Sequence, residues 1–243
     1  MRRPRLLLVP GISELEWQIR PELEEWADVA TFDPAGVGAA PGEWSVEATV
    51  ELALGVLDDR GWDEFVLVVD GWGPVYAAGI LEKRPAEPRG IAIGHAAPSA
   101  RMTGERAPLN GPVFDALANL IKKGEEAFAP FAISQFTRDG IDEKVAAEIV
   151  DRVPARVMET MIAAVRAADY DLVKTLGPFD VPLLLAKHEG CLAFTDEGYE
   201  DAVAVFPEAR TVSTDKICSA DPAFATALKE FCEEVYSAGT SSR

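Results

Sequence analysis

The sequence predicts an α/β protein built on a mostly parallel sheet of about six strands, with a block of helices inserted between the fourth and fifth. Three observations lead there. Strand-like and helix-like stretches alternate strictly from Arg5 to Gly94, the pattern of parallel strands joined by helices that cover both faces. Within that alternation, Phe65–Val69 is a run of β-formers without charge that stops at Asp70-Gly71-Trp72-Gly73, where an alanine-rich helical stretch starts at once. That reads as a buried strand turning sharply into a buried helix. Beyond Gly94 the period becomes purely helical as far as Gly177, too long a run for an ordinary connection.

Taken in order, Arg5–Val9 is a short apolar strand closed by Pro10-Gly11. A loop over Ile12–Leu15 leads to a helix expected to carry Trp17, Ile19, Leu23 and Trp26, and Asp28–Phe32 is the second strand. It ends in Asp33-Pro34-Ala35-Gly36-Val37-Gly38, a loop rich in turn residues. Ser45 caps a helix whose apolar face is Val46, Val50, Ala53, Leu54 and Leu57, and Gly61 ends it. The helix after Phe65–Val69 runs to about Lys83, and Gly90–Gly94 is the fourth strand. Three apolar stripes follow: Phe114, Leu117, Leu120 and Ile121; Val145, Ile149 and Val153; and Val157, Met158, Met161, Ile162 and Val165. Val181–Ala186 is a strand, Thr195 caps a helix from Asp196, and Ala209–Ser213 is the last strand. Asp221-Pro222, an N-cap with proline at the first helical position, opens a helix with the face Phe224, Leu228, Phe231 and Val235. The chain thus divides into a first core segment (1–96), a helical insertion (97–177), a second core segment (178–238) and a disordered tail (239–243).

With 243 residues, 48% of them hydrophobic, a sizeable core forms without staples. The net charge of −18 argues against nucleic acid and anionic membranes, which need clustered Lys and Arg. Cys191, Cys218 and Cys232 are odd in number and widely spaced, so neither a disulfide framework nor a zinc site is expected, and a reducing cytoplasmic setting fits. The apolar run after the basic N-terminus breaks at Pro10-Gly11, too early for a signal peptide, and no stretch approaches a membrane span. No metal or other cofactor is expected, and the oligomeric state is not legible.

The motifs together resemble the α/β-hydrolase fold over nearly the whole chain. Leu7-Leu8-Val9-Pro10-Gly11 stands where the family has an apolar strand ending in His-Gly, and Asp33-Pro34-Ala35-Gly36-Val37-Gly38 resembles its Asp-x-x-Gly-x-Gly loop. Val181-Pro182 and Asp221-Pro222 also fit familiar places, and the insertion sits where haloalkane dehalogenases and epoxide hydrolases carry a helical lid. The family's N-terminal hairpin has no residues left to form it, hence the smaller, all-parallel sheet.

The resemblance also locates a catalytic triad, and all three places are changed. The nucleophile elbow favours small residues two before and two after the nucleophile. Val69-Asp70-Gly71-Trp72-Gly73 satisfies this with Gly71 at the nucleophile; the other register makes Asp70 the nucleophile but puts bulky Trp72 at the close contact. The acid would fall on Gly190 or Cys191 and the histidine on or near Lys216. Gly71 bears no reactive group, so triad hydrolysis is expected to be lost. Other candidates at the strand ends are His95, His188, Glu189, Cys191 and Cys218, as dyad or acid/base groups, beside Asp70. The backbone amides of Ile12, after Gly11, and of Trp72 stand where the family's oxyanion hole is formed. Two functions remain open. One is a non-hydrolytic protein with a pocket for a small, largely apolar molecule or a partner. The other is a divergent hydrolase, lyase or isomerase acting through displaced residues such as Asp70, His95 or Cys191.

Overall fold

In the computed structural model, which describes residues 3–85, 87–94, 111–167, 181–191 and 196–238, the strands are β1 (Arg5–Val9), β2 (Asp28–Thr31), β3 (Phe65–Val69), β4 (Pro88–Ile93), β5 (Leu183–His188) and β6 (Arg210–Thr214). They form one six-stranded sheet in the order β2-β1-β3-β4-β5-β6, and every neighbouring pair is parallel. The chain steps outward from β1 to β2, then crosses back past β1 to β3. The direction of winding therefore reverses between β1 and β3, and a crevice opens outside the carboxyl ends of such a pair.

The helices are α1 (Arg20–Glu24), α2 (Val46–Arg60), α3 (Gly73–Lys83), α4 (Gly111–Lys122), α5 (Glu125–Arg138), α6 (Glu143–Arg152), α7 (Ala155–Ala167), α8 (Asp196–Val205) and α9 (Pro222–Ala238). The period-two alternation of the strands sorts them. Leu7, Val9, Leu67, Val69, Ile91 and Ile93 pack with α2 and α3 in one core. Leu6, Leu8, Val66, Val68 and Ala92 point the other way, onto Leu23 of α1 and onto Phe224, Leu228 and Phe231 of α9. A strand buried on both faces has no polar side to show, which is why Phe65–Val69 is apolar throughout.

The caps follow the residues expected of them. The Ser45 side chain accepts from the Ala48 amide, and Gly61 takes the left-handed conformation (φ 60°) that ends α2. Asp221 accepts from the Ala223 amide at the start of α9.

Several boundaries differ from expectation. Of the residues expected in the first helix only Leu23 lies in it: Glu14–Glu16 forms a single 3-10 turn and α1 spans only Arg20–Glu24, with Pro21 in its first turn where a missing N–H is tolerated, so Trp17, Ile19 and Trp26 fall outside. The insertion holds a further helix, α5, between the first two stripes; its buried contacts are only Phe128 and Ala132, and Pro130 lies within it, so no long apolar stripe marked it. β5 extends to His188, which pairs with Thr214 of β6. His95, Thr195 and the 239–243 tail lie outside the described residues.

α4–α7 build a third core that includes Ile121, Phe128, Ile149, Val157 and Met161. Val37, Trp72 and Ala220, from the loops after β2, β3 and β6, belong to the same cluster, so these helices sit over the carboxyl edge of the sheet. A polar clamp fixes them there. Arg152 of α6 pairs with the buried carboxylate of Asp33, which also accepts from Ser13 Oγ (2.9 Å) and the Glu14 amide (3.0 Å). Among the described residues no helix is long and apolar enough to cross a membrane.

Two glycine substitutions test this packing. A Cβ on Gly73 would lie 2.7 Å from the Val9 carbonyl oxygen, whereas one on Gly55 of α2 meets nothing within 4 Å. In urea denaturation, Gly73→Ala should lose about 1–3 kcal/mol and Gly55→Ala should gain roughly 0.5–1 kcal/mol.

Candidate functional site

The turn after β3 lies at the switch point, and three glycines make it possible. Gly71 adopts φ 54°, a left-handed conformation that costs any other L-residue about 1–2 kcal/mol. Gly73 touches β1, as its clash with Val9 shows, and a Cβ there would also lie 3.1 Å from Val69 Cβ. Gly11 brings the loop after β1 against the turn, since its Cβ would fall 2.8 Å from the Trp72 nitrogen. The close contact thus falls at residue 73 and the positive φ at residue 71, the steric pattern of the first of the two possible registers. A Cβ on Gly71 would meet only the Gly11 Cα, at 3.8 Å. The turn has the space for a side chain and carries none.

Asp70, the alternative nucleophile, is fully buried. Its Oδ1 accepts from the Gly71 amide (2.8 Å) and its Oδ2 from the Ser219 amide (2.8 Å). Both Asp70 Oδ1 and Cys218 Cβ lie within 3 Å of the point a Gly94 Cβ would occupy. Asp70 therefore ties the loop after β6 to the turn from beneath, with Cys218 packed beside it. Cys218 is fully buried, with its Sγ 3.8 Å from Thr214 Oγ1.

The expected oxyanion hole is altered by a residue that was not anticipated. Glu16, 3% exposed, folds back so that its Oε1 accepts from the amides of Ile12 (2.7 Å) and Ser13 (2.9 Å) and its Oε2 from Gly11 (3.1 Å). The Ile12 amide is committed to Glu16 and is not offered to a ligand, which corrects the expectation of two donors at this place. The signal was present in the sequence. Ser13-x-x-Glu16 is a capping box, in which the glutamate reaches back to the amide of the capping residue. Its extension to Gly11 and Ile12 depends on the loop's bend.

Burial pushes the Glu16 carboxyl up to about 8, with the Asp70 charge adding to the rise and the three amides opposing it. No cation lies within ion-pair distance of it among the described residues.

The other candidates separate. His188 is the last residue of β5 and is buried. Glu189 is half exposed and pairs with Lys187 at 3.1 Å. Gly190 has φ 75° with open space around it, and the Cys191 amide donates to the His188 carbonyl at 3.3 Å. Lys216 runs its stem against Gly140, in the turn between α5 and α6, while its amide and that of Asp215 donate to Asp221 Oδ2 (3.0 and 2.9 Å). The next amide, Ile217, donates to the Asp139 carbonyl (2.7 Å). Gly11, Ile12, Glu16, Asp70, Gly71 and Trp72 thus form one constellation, roofed by the helical layer through Trp72. Among the described residues no group of three or more His, Cys, Asp or Glu could hold a metal ion.

The electrostatics of Glu16 have a measurable consequence. An unfolded glutamate loses its proton near 4.5 and the folded one near 8, so the folded state holds the extra proton between those values. Its contribution to stability is greatest at the acid end and is lost as pH rises through the folded value. The loss is on the order of 4 kcal/mol across that window. Glu16→Gln, which cannot ionise, should remove this slope, so that urea denaturation from about pH 5 to pH 9 shows the wild type losing stability relative to the variant.

No family model matches the sequence, and no curated protein matches it. Solved structures do. A hydrolase from Oleispira antarctica superposes with a TM-score of 0.76 at 14% identity, over 96% of this chain and 92% of that one. A variant of the N-acyl homoserine lactonase AidH, crystallised with N-hexanoyl homoserine, gives 0.78 at 15% identity over 96% and 90%. The esterase RhEst1 from a Rhodococcus species gives 0.75 at 16% identity over 96% and 91%. With the parallel sheet, the sharp turn after β3 and the helices over the carboxyl edge, these superpositions identify the architecture: the chain has the α/β-hydrolase fold.

Proposed function

We propose that this protein has given up triad hydrolysis and keeps a pocket, between the sheet and α4–α7 acting as a cap, for a small, largely apolar molecule. The observation that carries the reading is Gly71, at the apex of an otherwise intact elbow with φ 54° and no side chain to attack a carbonyl. Three further features support it. By the resemblance the acid place falls on Gly190 or Cys191 and the histidine place on or near Lys216, one oxyanion donor is engaged by Glu16, and Asp70 is held by backbone amides below the turn. Trp72 and the apolar side chains of α4–α7 form an apolar cluster above the turn, the surroundings that an apolar ligand would require.

A second reading, a divergent hydrolase, lyase or isomerase using displaced groups such as Asp70, His95 or Cys191, is favoured by one observation. The structures that superpose on this chain include a hydrolase, a lactonase and an esterase.

Labelling and turnover separate the two. The protein should take no fluorophosphonate label and hydrolyse no p-nitrophenyl ester above the buffer rate. Gly71→Ser should fold, at a cost of about 1–3 kcal/mol for its strained turn, and gain no esterase activity. Stoichiometric labelling that substrate blocks, together with turnover abolished by Cys191→Ala or Asp70→Ala, would sink the non-hydrolytic reading.

A further inference from the structure

A cavity of about 200 Å³ lies between the loop that follows β2 and the helix α7, lined by none of the elbow residues. Gly36, Gly42, Glu43 and Trp44 line it from the loop, and Arg156 and Thr160 from the helix. Two general features mark the place as suited to a ligand. It opens at the carboxyl edge of a parallel sheet. It also lies on a seam between two cores, because Trp44 packs against both the sheet core and the helical core. Its volume falls below the roughly 300–1,000 Å³ of sites for drug-sized molecules, so its occupant is smaller.

Charge decides what kind of molecule fits. Acidic residues outnumber basic ones 41 to 23 in this chain, and arginines find partners readily. Arg3, Arg5, Arg20, Arg84, Arg89, Arg138, Arg152 and Arg210 all form ion pairs, and Arg60 lies over the Trp62 ring. Arg156 forms neither with any of the described residues. Glu43 also lines this cavity and forms no ion pair among the described residues, and the two charges do not approach each other within 4 Å. A cation and an anion facing one small space without neutralising each other are what a ligand carrying both charges requires.

The rest of the lining is compatible. The Trp44 indole is held in place by its Nε1 donating to Tyr76 Oη at 3.1 Å, which gives a rigid apolar wall. Thr160 Oγ1 donates to the Arg156 carbonyl and keeps lone pairs for an ammonium group. Gly42, with φ 87° and nothing within 4 Å of its missing Cβ, leaves that side open for an apolar substituent.

We propose that the cavity between the Gly36–Trp44 loop and α7 binds a small zwitterion of the α-amino-acid class, its carboxylate on Arg156 and its ammonium group on Glu43, with the apolar side chain against Trp44. The proposal uses none of the elbow residues and stands whether or not the elbow site is catalytic.

Isothermal titration calorimetry and tryptophan fluorescence test it, with alanine, leucine and phenylalanine as zwitterions and 4-methylpentanoate and isopentylamine as single-charge analogues of leucine. At least one amino acid should bind saturably. For leucine, loss of either charge from the ligand, or Arg156→Met or Glu43→Gln in the protein, should weaken binding by about tenfold or more. Both side chains are exposed, so the variants should keep the wild-type circular dichroism spectrum and melting temperature. Absence of saturable binding for all three amino acids up to about 10 mM overturns the proposal. So does equal affinity for 4-methylpentanoate and leucine, or binding indifferent to both substitutions.

Discussion

Three stretches of backbone meet at one point in this protein, and side chains are excluded from most of it. The end of β1, the loop through Gly11 and the turn through Gly71 and Gly73 approach so closely that a Cβ on Gly11 or Gly73 would lie within 3 Å of backbone. This contact sets where α3 leaves the sheet, and hence where Trp72 enters the helical layer. Gly71 differs from its two neighbours in kind. It is required by the turn's φ and not by crowding, because the space beside it would accept a side chain. The sharpness of this turn is therefore set by backbone contacts, with no side chain at residue 71.

Loops at the end of a parallel sheet have backbone groups with no ladder partner, and buried ones must be satisfied in some other way. Here carboxylates accept them. Glu16 takes the amides of Gly11, Ile12 and Ser13, Asp33 that of Glu14, and Asp70 those of Gly71 and Ser219. Asp221 takes those of Asp215, Lys216 and Ala223. Several amides converging on one carboxyl group hold these loops firmly. Asp70, attractive as a general base from its position after β3, is engaged as a tie between two loops. The same edge is latched to the helical layer by Arg152 on Asp33 and by the Ile217 amide on Asp139.

The helical layer has two relations to the sheet. Over the elbow it is apolar, with Trp72 and Ala220 merged into its core. At its outer seam, against the loop after β2, it leaves a small space lined by opposite charges. A ligand at the first place would be recognised by shape and apolar contact, and one at the second by its charges. The two need not share an occupant.

The sequence by itself determined the elements that rest on local periodicity and on special residues. The alternation of apolar runs fixed a parallel sheet, since β3 could be buried on both faces only if it was apolar throughout. Ser45, Gly61 and Asp221-Pro222 marked helix ends, because capping is a matter of neighbouring residues. The steric pattern Val69-x-Gly71-x-Gly73 also marked where the turn takes a positive φ and where backbones approach closely. Tertiary structure decided the rest. The commitment of the Ile12 amide to Glu16 depends on how the loop after β1 bends. The engagement of Asp70 needs Ser219, which lies 149 residues away in the chain. Arg156 and Glu43 share a cavity only because α7 is laid beside the loop after β2. Sequence spacing records which residues are neighbours along a helix or strand; which amide a buried carboxylate accepts, and which charges face one another, are set by how those elements are stacked.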